Sequence, residues 1–358
     1  MRWIISVIIT LGLLVTLAAY GPGALQAEKF NPAPPDPALD ALFTNMAEPV
    51  LRESGLIGAE DLEPGPDGRL YASLADGRIM ARSPDGEWSE AGDTGGRPLG
   101  LAFGPGGRLF VADALRGLLV QEEGGWRTLL PAGPYPDLVF ADDLTVLDDG
   151  SVILTDASAR YGYGEYMMSY LEGEQGARVL RVHPDGRSET VMDGLAFANG
   201  VTHDPETGLV YINETWAGRV WTFDPETGEG RVFLDGLPGY PDNLHWDADE
   251  GLLWIALPSR RAEDIESLHP HPFVKRLVWR VIQVFGLPPL PPRPVMALAV
   301  DASGAPVHAL YGPDDSAYGA TTAVPWEGRV WVGGLERESV DAFETPRRLP
   351  QSPPRRLQ

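Results

Sequence analysis

Cysteine is absent from the 358 residues, which excludes disulfides, a thiolate nucleophile and any thiolate-held zinc or iron–sulfur centre. Histidine is scarce, and what there is does not gather. His183 and His203 lie beside turns, His245 follows Asp242 on a strand, and His269 and His271 fall in an insertion. Basic residues number 28 against 51 acidic ones, a formal charge of −23. A chain of that sign repels phosphate, so it does not grip nucleic acid or anionic lipid through a basic face. No His-Glu-x-x-His, Gly-x-Ser-x-Gly or P-loop pattern occurs, and with them go the best-marked zinc-hydrolase, serine-hydrolase and nucleotide sites.

Turn residues are abundant instead, with 42 Gly and 34 Pro, as suits an all-β chain of short strands. Asp204-Pro-Glu-Thr-Gly208, Leu209-Val-Tyr-Ile-Asn213, Arg219-Val-Trp-Thr-Phe223 and Asp224-Pro-Glu-Thr-Gly228 read as turn, strand, strand and turn of an antiparallel meander. A turn glycine followed by a strand recurs six times, at Gly68, Gly107, Gly150, Gly208, Gly251 and Gly328. A four-stranded unit of roughly 40 residues is the blade of a propeller. The expected fold is a six-bladed β-propeller over residues 58–345, with two insertions.

Stepping back from each glycine along the preceding strand reaches Glu60, Asp142, Asn199 and Asp242 in four blades, Leu99 in the second, and the Ala320–Thr322 stretch in the sixth. First strands of blades line the central channel, so the four oxygen-bearing side chains are expected to converge at one mouth. Asp and Asn also open strands and turns for purely local reasons, but a shared register across four blades points to a site. Three carboxylates together repel unless a cation joins them. An all-oxygen set suits Ca²⁺, whereas zinc or copper would call for His or Cys.

The ends carry different information. Trp3 to Tyr20 is an apolar run broken only by Ser6, Thr10, Gly12 and Thr16, with Arg2 before it and no acidic residue until Glu28. It reads as a membrane anchor over residues 1–20; a cleaved signal is the alternative, weakened by Leu25 in the Ala24-Leu-Gln-Ala27 cleavage position. Residues 21–57 read as a Pro-rich stalk with a helical candidate from Ala38 to Arg52, and residues 346–358 as a disordered tail. The propeller then lies on the non-cytoplasmic side, or is secreted if the segment is cleaved.

Glu60-Asp-Leu62, Phe140-Ala-Asp-Asp-Leu144, Leu154-Thr-Asp156, Gly194-Leu-Ala-Phe-Ala-Asn-Gly200, Leu237-Pro-Gly-Tyr-Pro-Asp-Asn243 and His271-Pro-Phe273 together resemble the strictosidine-synthase-like and adipocyte plasma membrane-associated protein family. Its wider superfamily holds the gluconolactonase and senescence-marker lactonases. The resemblance implies metal ligands at Glu60, Asp142, Asn199 and Asp242, the same four reached by register, and a catalytic acid/base at Asp242. Two departures stand out. The family's Phe-x-Asn-Asp-Leu is Phe140-Ala-Asp-Asp-Leu144 here, adding a carboxylate. The sixth-blade stretch Ala320-Thr-Thr-Ala-Val-Pro-Trp326 lacks the glutamate that strictosidine synthases use, which disfavours amine–aldehyde condensation.

Two insertions remain. Ser259 to Pro294 holds an amphipathic helix with Phe273, Leu277, Val278, Val281, Ile282 and Phe285 apolar, and Lys275, Arg276 and Arg280 polar. Its apolar side packs on the propeller, closes over a substrate, or faces a membrane. Tyr161, Tyr163, Tyr166 and Met167 of the third-blade insertion form an apolar wall over the metal or carry the same alternatives as the helix, which the sequence leaves open. The leading expectation is a Ca²⁺-dependent hydrolase of small-molecule esters or lactones, with no nucleic-acid partner and with membrane contact through the N-terminal segment. A non-catalytic anchored propeller with structural calcium is the alternative from another class.

Overall fold

The computed structural model describes residues 16–17, 19–286, 293–313 and 319–350. Six four-stranded antiparallel sheets follow one another around a ring. Their first strands are Leu62–Pro64, Pro98–Gly104, Ala141–Val146, Ala198–His203, Leu244–Asp247 and Thr322–Trp326, each touching the first strands of its neighbours. The expected six-bladed propeller is the observed fold. The recurring glycines sit between first and second strands, with φ from 64° at Gly251 to 81° at Gly68. A Cβ in that left-handed region is strained, and this is the physical basis of the repeat.

Second strands such as Val152–Asp156, Val210–Glu214 and Leu252–Ala256 are buried throughout, because each blade packs on both faces. Leu62, Leu70 and Ala72 of the first blade meet Val324, Trp331 and Val340 of the sixth in one apolar cluster. Such inter-blade cores hold the ring together by removing apolar area from water.

The ring closes with a strand that the sequence reading assigned to the stalk. Leu51–Ser54 forms the outer strand of the sixth blade, in register Leu51 with Ala342 through Ser54 with Ser339. The Arg52 guanidinium donates to both carboxylate oxygens of Asp341 at 2.9 Å, and Asp341 also accepts from Arg337 at 2.5 Å. The propeller therefore starts at residue 51 rather than 58. Of the helix expected over Ala38 to Arg52, only α1, Pro37–Asp40, forms. Asp36 caps it through its side chain and Pro37 starts it, while Pro49 ahead of an alternating Leu51–Ser54 commits the following chain to a strand.

The Pro-rich segment is a strap rather than a free stalk. The amides of Glu28, Phe30, Asp36 and Ala47 donate to the carbonyls of Glu172, His269, Gly236 and Tyr311, and Leu25, Phe30, Leu39 and Phe43 are buried. The tail also departs from expectation. The Leu349 amide donates to Val307 at 2.8 Å and Arg348 pairs with Glu250, so residues 346–350 lie against the fifth blade; 351–358 fall outside the described residues. Most of the apolar run 3–20 is outside them too. Among the described residues no helix is long and apolar enough to cross a membrane.

Topology decides what surrounds the channel mouth. First strands start at the mouth and end at the glycine turns, so links between second and third strands return to the mouth. Both insertions are such links, spanning residues 157–176 in the third blade and 257–295 in the fifth. The first contains α2, Met167–Glu172; the second contains α3, Glu263–Glu266, and α4, Pro272–Phe285.

Candidate active site

Glu60, Asp142, Asn199 and Asp242 line one cavity of about 390 Å³ at the channel mouth. Four blades bring them there, as the register argument required. Asp142 and Asn199 lie at the starts of their first strands. Glu60 and Asp242 lie just before theirs, held by their amides on the Ser73 and Ala256 carbonyls at 3.1 and 3.0 Å. Leu99 takes the equivalent place in the second blade and Thr321 in the sixth, and both line the same cavity.

Each ring side chain has one polar atom engaged with a neighbour or none at all. Asn243 Nδ2 donates to Glu60 Oε1 at 3.0 Å, and the Asn199 side chain hydrogen-bonds to Asp242. Glu60 Oε2, Asp142 Oδ2 and Asn199 Oδ1 are buried with no hydrogen-bond partner among the described residues. Buried oxygens in that condition are costly, and in native proteins they mark a missing partner or a working group. Burial and mutual repulsion set the protonation. Burial raises Glu60 to about 7, with Arg97, Asn243 and Thr321 pulling the other way. Asp142 lies well above the ordinary carboxylate range through burial and then through Glu60, Asp242 and Asp143. Asp242 is raised by burial and Glu60, against Asn199 and Arg293.

The donor set fits a hard cation in kind, since it is all oxygen and carries three carboxylates. It is not drawn into a ligand cluster. Among the described residues no group of three or more His, Cys, Asp or Glu forms a ready metal-binding cluster. Like charges in one mouth repel, and these side chains lean on Asn243 and on one another instead.

A second tier lies one residue further along the strands. Asp61 accepts from the amides of Leu62 and Leu101, and Asp143 from those of Leu144 and Val201. Each carboxylate thus ties its own blade to the next. Their positions were visible in Glu60-Asp61, Asp142-Asp143 and Asp242-Asn243, but only the first member of each pair was singled out from sequence. A Cβ on Gly100 would collide with Asp143 Oδ1, so the alternate blade has glycine where its neighbour has the carboxylate.

Arg97 was also missed. It is buried, donates to the Pro98 and Leu335 carbonyls and to the Tyr163 hydroxyl, and its charge favours ionised Glu60 and Asp142. Tyr163, Tyr166 and Met167 line the cavity as expected, whereas Tyr161 does not and bonds to Glu172. Phe140, Phe197 and Trp216 complete the apolar wall. Phe197 holds φ of 69°, a strained setting for a bulky residue and one that clusters at functional sites. His245 sits deeper, 3.7 Å from Glu63. Glu336, from the loop between the second and third strands of the sixth blade, stands at the rim.

This arrangement can be placed among known proteins. Residues 64–271 match the sequence profile described as SMP-30/Gluconolactonase/LRE-like region. The chain belongs to that family. Strictosidine synthase-like protein 4 of Arabidopsis thaliana is 32% identical over 309 residues, covering 83% of this chain and 82% of its own. Human adipocyte plasma membrane-associated protein is 30% identical over 292 residues, 74% of this chain and 69% of its own. Among solved structures, a gluconolactonase from Xanthomonas campestris matches with TM-score 0.56 at 17% identity, over 90% of this chain and 97% of that one. A calcium-binding protein, regucalcin, from Agrobacterium tumefaciens matches with TM-score 0.56 at 14% identity, over 88% and 100%. At those identities the structures attest the fold.

Proposed function

We infer that this family member hydrolyses small carboxylic esters or lactones, depends on Ca²⁺, and is anchored to a membrane by its N-terminal run. The observation that carries the reading is three buried oxygens without hydrogen-bond partners, from three blades, in one apolar-walled cavity. Glu60, Asp142, Asn199 and Asp242 would hold the cation. Calcium, when bound, supplies a positive charge against the carbonyl oxygen of the substrate.

The chain's own residues supply the rest. Asp242, partly exposed where the other ring residues are buried, is placed to take a proton from an attacking water. Its hydrogen bond from Asn199 keeps the carboxylate turned toward the ring. Phe140, Tyr166, Phe197 and Trp216 favour apolar acyl or aryl groups and exclude bulk water, which strengthens every charge interaction in the mouth. With Asp142 in place of the family's asparagine, three carboxylates face the cation, which tightens its binding and weakens its pull on a carbonyl.

The test is hydrolysis of phenyl acetate and a lactone panel, before and after chelation. Loss of turnover with chelator and its return with calcium are expected; calcium-dependent thermal stability without turnover on any substrate would make the cation structural. A second reading rests on Glu336, a carboxylate at the cavity rim in the sixth blade, outside the Ala320–Trp326 stretch that lacks one. It allows amine–aldehyde condensation, the reaction that the resemblance to strictosidine synthases implies. Assay of an aromatic amine with an aldehyde, wild type beside Glu336→Gln, separates it from hydrolysis.

A further inference from the structure

Helix α4 is mounted the wrong way round for a soluble protein. Phe273, Val274, Leu277, Val278, Val281, Val284 and Phe285 fall on one side at 100° per residue. An ordinary surface helix turns such a stripe to the core. Here Phe273, Val274, Val281, Val284 and Phe285 are exposed, the last two by 74% and 83%. The polar side faces the protein. Lys275 is buried and donates to the Glu172 carbonyl at 3.0 Å, Arg276 donates to the Leu25 and Ala27 carbonyls, Trp279 to Gly23, and Arg280 to Gly21 and Pro22. Contrary to one sequence expectation, the apolar side of this helix does not pack on the propeller.

What the helix grips is the strap that continues the N-terminal apolar run. Tyr20, the last residue of that run, packs on Phe273 at 6.3 Å between ring centroids and is itself 61% exposed, as Leu17 is 62% exposed. The exposed stripe is therefore continuous with the end of an 18-residue segment, Trp3 to Tyr20, that has no charged side chain. On its inner side Trp279 joins the cluster of Phe140, Phe197 and Trp216 that walls the cavity.

We propose that the outward face of α4, with Leu17 and Tyr20, docks on the surface of a lipid bilayer and holds the cavity mouth against it. The proposal rests on the anchoring reading above and adds to it a second, lateral contact. Its driving force is apolar. The three helix cations are engaged with backbone carbonyls and the chain carries −23 overall, so neutral lipid serves as well as anionic lipid.

The absence of cysteine makes the test clean, because one introduced thiol carries one label. Full-length chain is reconstituted in phosphatidylcholine vesicles with an environment-sensitive fluorophore at Val281→Cys or Val284→Cys. The control is Glu226→Cys, in a turn on the opposite face of the propeller. Expected: the protein floats with the vesicles, labels at 281 and 284 are quenched by nitroxide lipids and protected from iodide, and the label at 226 behaves oppositely. Val284→Asp, with the label kept at 281, lowers the lipid-quenched fraction about tenfold. Flotation with labels at 281 and 284 open to iodide overturns the docking and leaves the anchor standing. Protein that stays in the aqueous fraction overturns both. Protection that appears without vesicles and grows with protein concentration assigns the face to a second copy of the chain and also overturns the proposal.

Discussion

At the scale of single residues, the proposed function assigns the ring two tasks, holding a cation and moving a proton, that substitution can separate. Asp242→Asn keeps an oxygen donor but removes the proton acceptor, so kcat falls by about 10²–10⁴-fold while calcium affinity, measured by titration, falls much less. Asp142→Asn restores the family's usual residue and removes one negative charge, so affinity drops by about tenfold with turnover unchanged or raised. Parent-rate hydrolysis by Asp242→Asn would end its catalytic role. Protonation gives a second handle. Burial lifts Glu60 from 4.5 to about 7, and Asp142 and Asp242 are lifted as well. The folded chain then binds more protons than the unfolded one. This contribution to stability is complete below pH 4.5 and is lost as pH rises through about 7. Without calcium, Tm measured across that window declines; with calcium, which binds the ionised carboxylates, the decline is offset and protons are released.

At the scale of elements, closure of the sixth blade depends on a strand brought in from far away in sequence. Asp341 is the joint. It is 1% exposed and accepts from Arg52 on the closing strand and from buried Arg337 on its own blade. Asp341→Ala removes the carboxylate that both guanidiniums share and costs about 3 kcal/mol; differential scanning calorimetry would show it as a fall in Tm of several degrees. Arg52→Ala, at a half-exposed position, costs about 1 kcal/mol. An equal loss from both substitutions would mean that the closing strand, not the buried pair, carries the energy.

For the molecule as a whole, the two insertions and the strap form one cap over the channel mouth. Lys275 ties α4 to α2 through the Glu172 carbonyl and meets His269 at 2.8 Å, while the Glu28 amide donates to that same carbonyl. Burial lowers Lys275 to about 8. Lys275→Met keeps the aliphatic stem but deletes the donor, so the cap should loosen while the ring stays intact. Expected are faster amide exchange in residues 21–30 and 263–285, and unchanged exchange in the buried second strands of the six blades; acceleration everywhere would show the cap and propeller to be one cooperative unit.

What could be read from the chain was local and repeated. Gly68 through Gly328 announced six turns because only glycine relaxes at positive φ, and Glu60, Asp142, Asn199 and Asp242 announced one ring because a propeller brings equal registers together. The signals that failed were those whose meaning depends on a distant partner. Leu51–Ser54 looks like the end of a stalk until Asp341, almost 290 residues on, pairs with it. Arg97 and Glu336 carry no motif; only the arrangement of the blades sets the charge of the first against Glu60 and Asp142 and brings the second to the cavity rim. The stripe on α4 was plain from Phe273 to Phe285, but periodicity measures only that a helix has two faces. Which face turns inward was decided by the carbonyls of residues 21–27 and of Glu172, polar groups that Lys275, Arg276 and Arg280 satisfy and that apolar side chains could not.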